Sequence, residues 1–237
     1  MTTNDPTPSP DAEPAVSWRE VAVARSLGSA RARAETRVQR FLDAAIELMN
    51  DGESGKDFTV QEVVERSGQS LRTFYQYFGG KQELLLAVFE ESVRTTTEML
   101  SKKIAKEDDA FGRLHCFVVE YYRICRPAQG SSAKKVPTTS VMVDFAQQLL
   151  TGQPRDAAMA FGPLVELFGQ LLDDAAAEGS IRSGLRRSPI AGVVLEAIMF
   201  NAFSATIGGT RTQGEEVDPA EELWDLIVHG IGSSKRK

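Results

Sequence analysis

The residues whose types and spacing could do chemistry cluster between Thr59 and Lys81. Ser70, Arg72, Thr73, Gln76 and Tyr77 offer hydroxyl, guanidinium, amide and phenol donors within one turn or two of chain. Such groups bond phosphate oxygens and base edges. Phe74 and Phe78 stand four residues apart among them, so they share the opposite face of a short helix and can seat it. Covalent chemistry has no comparable support. The sequence carries no G-x-S-x-G, G-x-G-x-x-G or phosphate-binding loop. Asp108–Asp109 and Asp173–Asp174 stand in polar surroundings, as solvated faces do. With only His115 and His229 as histidines, no cluster has metal-ligand spacing. Cys116 and Cys125 lie nine residues apart on one helical pattern, about 13 Å of rise and too far to bridge. No catalytic residue, metal or cofactor is expected, and the chain is not read as an enzyme.

The surrounding elements would have to hold those donors in place. Thr59-Val60-Gln61-Glu62 is a capping box that starts a short helix with Val60, Val63 and Val64 inward. Ser67–Gly68 stops it, Gly68 supplying the positive φ of a tight turn. Ser70 caps a second short helix that runs to about Tyr77. Two short helices around such a turn form a helix-turn-helix, whose second helix presents its N-terminal residues to the major groove. Upstream, Val38, Phe41, Leu42, Ala45, Ile46 and Met49 make one apolar stripe from Ala34 onward, ended by Asn50-Asp51-Gly52. Downstream, Gly79–Gly80 is a break before a long helix from Lys81 to about Lys106. The N–H groups at that helix start make Lys81 a candidate phosphate contact.

The net charge is −6 over 237 residues and the pI about 5.2, unusual for a nucleic-acid binder taken whole. The charge is uneven. Between Trp18 and Arg40 six arginines face two glutamates, the asymmetry that marks a nucleic-acid or membrane contact. Residues 1–16, with four prolines, are expected to be a disordered tail. Trp18, Val21 and Leu27 suggest a short amphipathic helix that Gly28 interrupts. Arg31 and Arg33 would then sit on a basic arm reaching the minor groove, with Arg37 and Arg40 at phosphates. The competing reading is a solvated charged face. No apolar run is long enough to span a membrane and no signal peptide is visible, so a cytoplasmic protein with no membrane partner is expected.

The rest of the chain alternates helical stripes and breaks. Phe111, Leu114, Val118, Tyr121, Tyr122 and Cys125 end at Pro127, and residues 128–137 form a loop. A helix over about 138–151 carries Val141, Phe145 and Leu149. A longer one runs from Ala157 to Ala175, with Gly179 at its C′ position. Ser188–Pro189 opens the next, Gly208–Gly209 closes it, and Asp218-Pro219-Ala220-Glu221 opens the last. Strands are not needed, and the fold class is all-α.

At this point the sequence resembles the TetR family of transcriptional regulators. The resemblance rests on Phe58-Thr59-Val60, Gly68, Ser70, Thr73, the run Phe74-Tyr75-Gln76-Tyr77-Phe78, and Lys81 with Leu84–Leu85. Glu35-Thr36-Arg37 through Ala45 is similar to that family's first helix. The likeness covers about residues 34–90. Val64, Gln69 and Gly79–Gly80 depart from the family's usual residues. By position, Ser70, Arg72, Thr73, Tyr75 and Gln76 would lie on or beside the recognition helix. Tyr75, Tyr77 and Lys81 would address phosphates, and Thr59 would offer its backbone N–H to another. Packing of Tyr75 or Tyr77 on the first helix, and a solvated Lys81, are the plain alternatives.

The resemblance implies three parts: an N-terminal extension over 1–33, a helix-turn-helix DNA-binding domain over 34–82, and a helical ligand-binding and dimerisation domain over 83–237. The expected partners are a double-stranded DNA operator with palindromic half-sites, a second copy of the chain, and a small hydrophobic effector that releases the DNA. The helix over 189–207 is apolar nearly all round, as a helix buried on two sides must be. Phe117, Tyr121, Tyr122, Met142, Phe145, Phe161, Phe168, Met199 and Phe203 are candidate pocket residues, with His115, Tyr122, Asp144, Glu196 and Asn201 as polar groups near them. Each aromatic also fits plain core. The alternative function is a helix-turn-helix regulator whose second half makes only protein–protein contacts.

Overall fold

A computed structural model describes residues 17–51, 58–126, 140–184, 187–207 and 218–231. The expected tail over 1–16, the 128–137 loop and Gly208–Gly209 lie outside these residues. So do the side chains of Met142, Asp144 and Phe203 within their helices.

Nine helices lie among the described residues: α1 (Trp18–Asp51), α2 (Val60–Ser67), α3 (Leu71–Tyr77), α4 (Lys81–Ile104), α5 (Ala110–Cys125), α6 (Ser140–Gly152), α7 (Pro154–Ala177), α8 (Arg187–Ile207) and α9 (Pro219–Ile231). No strand lies among the described residues, and the fold is all-α. Side-chain caps set several boundaries. Thr59 and Glu62 close the capping box of α2, Ser70 accepts the Thr73 N–H, and Asp109 accepts the Gly112 N–H. Gly68 ends α2 with φ 64°, and a Cβ there would meet nothing within 4 Å. Backbone handedness rather than space therefore favours glycine at that turn.

The first helix corrects the expectation for residues 17–33. Instead of a short element broken at Gly28, α1 is one continuous helix of 34 residues. Ala22, Ala24, Ala30, Ala32 and Ala34, with the arginines between them, are strong helix formers. Their propensity outweighs the roughly 1 kcal/mol that one interior glycine costs. The boundary expected between residues 33 and 34 falls inside this helix. Trp18, Val23 and Leu27 are exposed, because nothing in the described chain packs on the first half of α1.

The core runs through both halves. Phe41 of α1 meets Phe74 and Phe78 edge-on, at 5.4 and 6.0 Å between ring centroids. Leu84, Leu85 and Val88 of α4 belong to the same apolar core. Farther along α4, Phe89 meets Phe145 of α6 and Phe161 of α7. One helix thus joins the N-terminal unit to the larger bundle, in which α5 lies against α4, α7, α8 and α9. Pro163 stands inside α7, where it removes one helical N–H and favours a bend.

Candidate nucleic-acid interface

The helix α3 is fixed from three directions. Phe74 is fully buried on Phe41 and Phe78. The Gln69 side-chain amide, in the turn between α2 and α3, donates to the Arg37 carbonyl of α1 at 2.8 Å. Ser70 Oγ accepts the Thr73 N–H at 3.1 Å and lies 2.8 Å from Thr73 Oγ1. Gln69, one of the departures from the family's usual residues, thus becomes a strut between the turn and α1. Its spacing carries no signal of that, because its partner is a backbone carbonyl 32 positions upstream.

With Phe74 inward, the outward face of α3 carries Leu71, Arg72, Tyr75 and Gln76, all exposed. Tyr75 leaves 57% of its surface exposed and Leu71 43%. Tyr75 also stands edge-on to Phe74 at 5.4 Å, so its ring is supported while its hydroxyl end is open. Thr73 and Tyr77 are half-buried at the flanks of that face. Sequence reasoning misses Leu71, because a leucine in a helical pattern is ordinarily core; its position at the first turn, one residue before Arg72, is the available signal. An exposed side chain of this kind can meet a thymine methyl.

Two expected phosphate contacts are engaged within the chain. The Lys81 ammonium donates to the Phe58 carbonyl and lies 4.5 Å from the centre of the Phe58 ring. It is therefore turned back toward α2 rather than outward. The Thr59 N–H donates to Glu62 Oε2 at 2.7 Å, so a phosphate would have to compete with that carboxylate. At the start of α4, Glu83 Oε2 accepts the Gly79 N–H at 2.7 Å and places a negative charge where the sequence suggests an anion site. A Cβ at Gly79 would come 2.7 Å from the Glu83 carboxylate, which would have to swing aside.

Along α1, Arg31 pairs with Glu35 at 2.7 Å, and Arg33 makes a long bond to Ser29 Oγ at 3.5 Å. Both residues stand within α1 rather than on an extended arm. They are helical, and a helix about 10 Å across does not enter a groove roughly 6 Å wide.

In the larger bundle, a cavity of about 390 Å³ opens between α5, α6, α7 and α8. Of the candidate pocket residues, Tyr121, Phe161 and Met199 line it, together with Leu150, Leu195 and Glu196. Phe117, Tyr122, Phe145 and Phe168 do not. Phe117 stacks on Phe168 at 4.9 Å with both fully buried, Tyr122 is fully buried, and Phe145 packs on Phe89. These four are core, because helical spacing alone does not tell a lined void from a filled one. His115 is bound to Glu221 at 2.7 Å and faces Trp224, which makes it part of the α5–α9 contact. Asn201 is exposed and lines no part of the cavity. Burial raises the Cys125 thiol to about 12, with a hydrogen bond from Tyr121 acting against it. No group of His, Cys, Asp or Glu among the described residues could hold a metal ion, and no described helix is long and apolar enough to cross a membrane.

A clamped short helix with an open polar face, joined through one long helix to a bundle with a cavity, defines a helix-turn-helix DNA-binding regulator. Residues 41–88 match the family of bacterial regulatory proteins of the tetR type. The chain is 27% identical over 202 residues to the HTH-type transcriptional regulator YvdT of Bacillus subtilis (strain 168), covering 83% of this chain and 95% of that protein. Its helix-turn-helix segment is thus of the TetR type, and the chain is similar over most of its length to a transcriptional regulator of the helix-turn-helix class. Solved structures share the fold at low identity. The fatty acid degradation regulator FadR from Bacillus halodurans superposes with a TM-score of 0.58 at 14% identity, over 81% of this chain and 98% of that one. The transcriptional regulator FadR from Bacillus subtilis, solved in complex with stearoyl-CoA, gives 0.55 at 15% identity, over 81% and 98%.

Proposed function

We propose that this regulator is a homodimeric repressor whose two α3 helices read the half-sites of a palindromic operator and whose effector, bound in the α5–α8 cavity, releases the DNA. The observation that carries the reading is the outward face of α3: Leu71, Arg72, Tyr75 and Gln76 exposed on a helix whose other face is locked by Phe41, Phe74 and Phe78. Arg72 and Gln76 have the donors for guanine and adenine edges. Ser70, Thr73, Tyr75 and Tyr77 suit phosphates flanking them. Lys81 and Thr59 join only where a phosphate displaces their present partners. The division of labour follows the expected parts: a DNA-binding unit ending near Lys81 and a ligand-binding and dimerising bundle after it.

The effector class follows from the lining. Tyr121, Phe161, Leu195 and Met199 make the cavity apolar, and its volume falls in the range of small-molecule sites. Glu196 is the one ionisable carboxylate among the lining residues, and no lysine or arginine is among them. That favours an uncharged or cationic hydrophobic molecule over an acyl-CoA of the kind held by the Bacillus subtilis relative. Such a ligand acts only if it binds the released conformation more tightly than the DNA-bound one.

A second copy has an apolar face to meet. Val193 and Phe200, with Ala197 between them, form an exposed stripe on α8, 66% and 43% exposed at the two ends, while Ala191, Leu195, Ile198 and Ala202 bury the opposite side. As a bacterial regulator acting on DNA, the protein would work in the cytoplasm. Selection of bound fragments from genomic DNA tests the reading. Recovered sites should share an inverted repeat, and an unstructured collection of sequences would refute it.

A further inference from the structure

We infer that the first half of α1 is a second DNA-binding element, a rigid basic rail that follows the phosphate backbone beside the operator half-site. The inference rests on the operator reading above and adds a contact outside the helix-turn-helix.

Up to Arg40 the helix has a polarity of charge around its axis. At about 100° per residue, Arg19, Arg25, Arg33, Arg37 and Arg40 fall within one sector of roughly 120°. Val38, Phe41, Leu42, Ala45 and Met49, which face the core, fall on the other side. Arg31 is the exception: it lies away from the arginine sector and is neutralised by Glu35. Among the described residues, no arginine of the sector is in an ion pair. Exposed arginines aligned on one side, with Glu35 on the opposite side, are not a surface salt-bridge pattern. They present unneutralised charge to something anionic outside the chain.

The direction of α1 selects DNA. Phe41 touches Phe74 and Phe78, toward the end of α3, whereas the Arg37 carbonyl is held by Gln69, just before α3 begins. Moving toward the N-terminus of α1 therefore moves in the same sense as moving toward the N-terminus of α3, the end that meets bases. From Arg37 back to Trp18 the helix continues for 19 residues, about 28 Å, with almost every residue exposed. It overhangs the DNA-reading end of the domain. That length matches about eight base pairs of duplex, and helix side chains set on one side can reach phosphates along it without entering the narrow minor groove.

The test uses the full chain and a duplex carrying a selected operator with long flanks. The affinity is measured across a salt series for the wild type, for the triple variant Arg19→Ala/Arg25→Ala/Arg33→Ala, and for Arg31→Ala. Every phosphate left without its arginine should lower the log–log salt slope by about 0.9, so the triple variant should show a slope smaller by about 2 to 3 while Arg31→Ala keeps the full slope. Trimming the flanks by about eight base pairs should weaken the wild type and leave the triple variant unaffected. Far-ultraviolet circular dichroism of each variant checks that α1 stays helical. An unchanged slope in the triple variant overturns the inference, and so does an equal reduction in Arg31→Ala, which would mean general charge rather than a rail. Loss of binding to phosphatidylserine vesicles with an intact DNA slope would overturn it in favour of a lipid surface. If the wild type itself shows no operator preference, it is the underlying operator reading that fails.

Discussion

At the residue scale, the outward side chains of α3 separate recognition from stability. Arg72 and Gln76 are exposed, so Arg72→Ala and Gln76→Ala should leave the melting temperature close to that of the wild type. Each should cost about 1–3 kcal/mol of discrimination at one position of the half-site, measured by fluorescence anisotropy on operators with single base changes. Equal weakening on all sequences would instead mark a phosphate contact. The buried Cys125 allows a pH prediction. Burial holds its thiol at about 12 against an ordinary 9.0, so the folded state keeps its proton where the unfolded chain loses it. That contribution to stability is complete below pH 9 and is lost as pH rises from there through 12. Native protein at mildly alkaline pH should therefore react with iodoacetamide at Cys125 only on unfolding, and urea midpoints at more alkaline pH should fall less steeply in Cys125→Ala. The placement of the candidate residues on α3 is legible in the sequence. Ser70 caps that helix as its type and position predict, which fixes where Arg72, Thr73 and Gln76 stand on it. The engagement of Lys81 is not legible, because its partner is the carbonyl of Phe58, 23 positions away, and no local pattern carries such a contact.

At the element scale, α4 is the connection between the two halves. Its first turns pack with the helix-turn-helix core, and Phe89 meets Phe161 at 5.1 Å. Phe161 in turn lines the cavity. In the proposed mechanism an occupant that shifts Phe161 would press on α4, and through it on the spacing of α3. Phe89→Leu should preserve effector binding, read as thermal stabilisation by whichever amphiphile stabilises the wild type most. It should reduce the effector's power to release DNA by about fivefold or more, within the coupling range of two linked sites. Unchanged release would exclude this ring pair as the link. Helix ends are the most legible part of the fold, since Thr59, Ser70 and Asp218 are capping residues by sequence and in the structure, whereas Asp109, read as part of a solvated face, turns out to cap α5. The length of α1 is not legible, because a glycine in a polar, arginine-rich stretch looks like a break. The alanines around Gly28 and the open space at its Cα let the helix pass through.

At the scale of the whole molecule, one chain offers one recognition helix and leaves an apolar stripe on α8. In the proposed dimer both are completed by a second copy. Val193→Glu puts a charge into that stripe without touching the buried side of the helix. It should convert dimer to monomer by light scattering and lower operator affinity by about tenfold or more, because two half-sites must be held together for tight binding. A dimer that survived would place the interface elsewhere. The distinction between cavity and core is the least legible feature at this scale. Phe161 and Phe168 are both aromatic at helical spacing on α7, yet one lines a void and the other stacks on Phe117. What separates them is the packing of other helices, which no single stripe encodes.

The most direct measurement compares the affinity of the full-length protein for a selected operator with that for a scrambled duplex of the same length at physiological salt. The account predicts a preference of about a thousandfold or more, with two chains bound per operator. A ratio near one, or one chain bound per duplex, would contradict it.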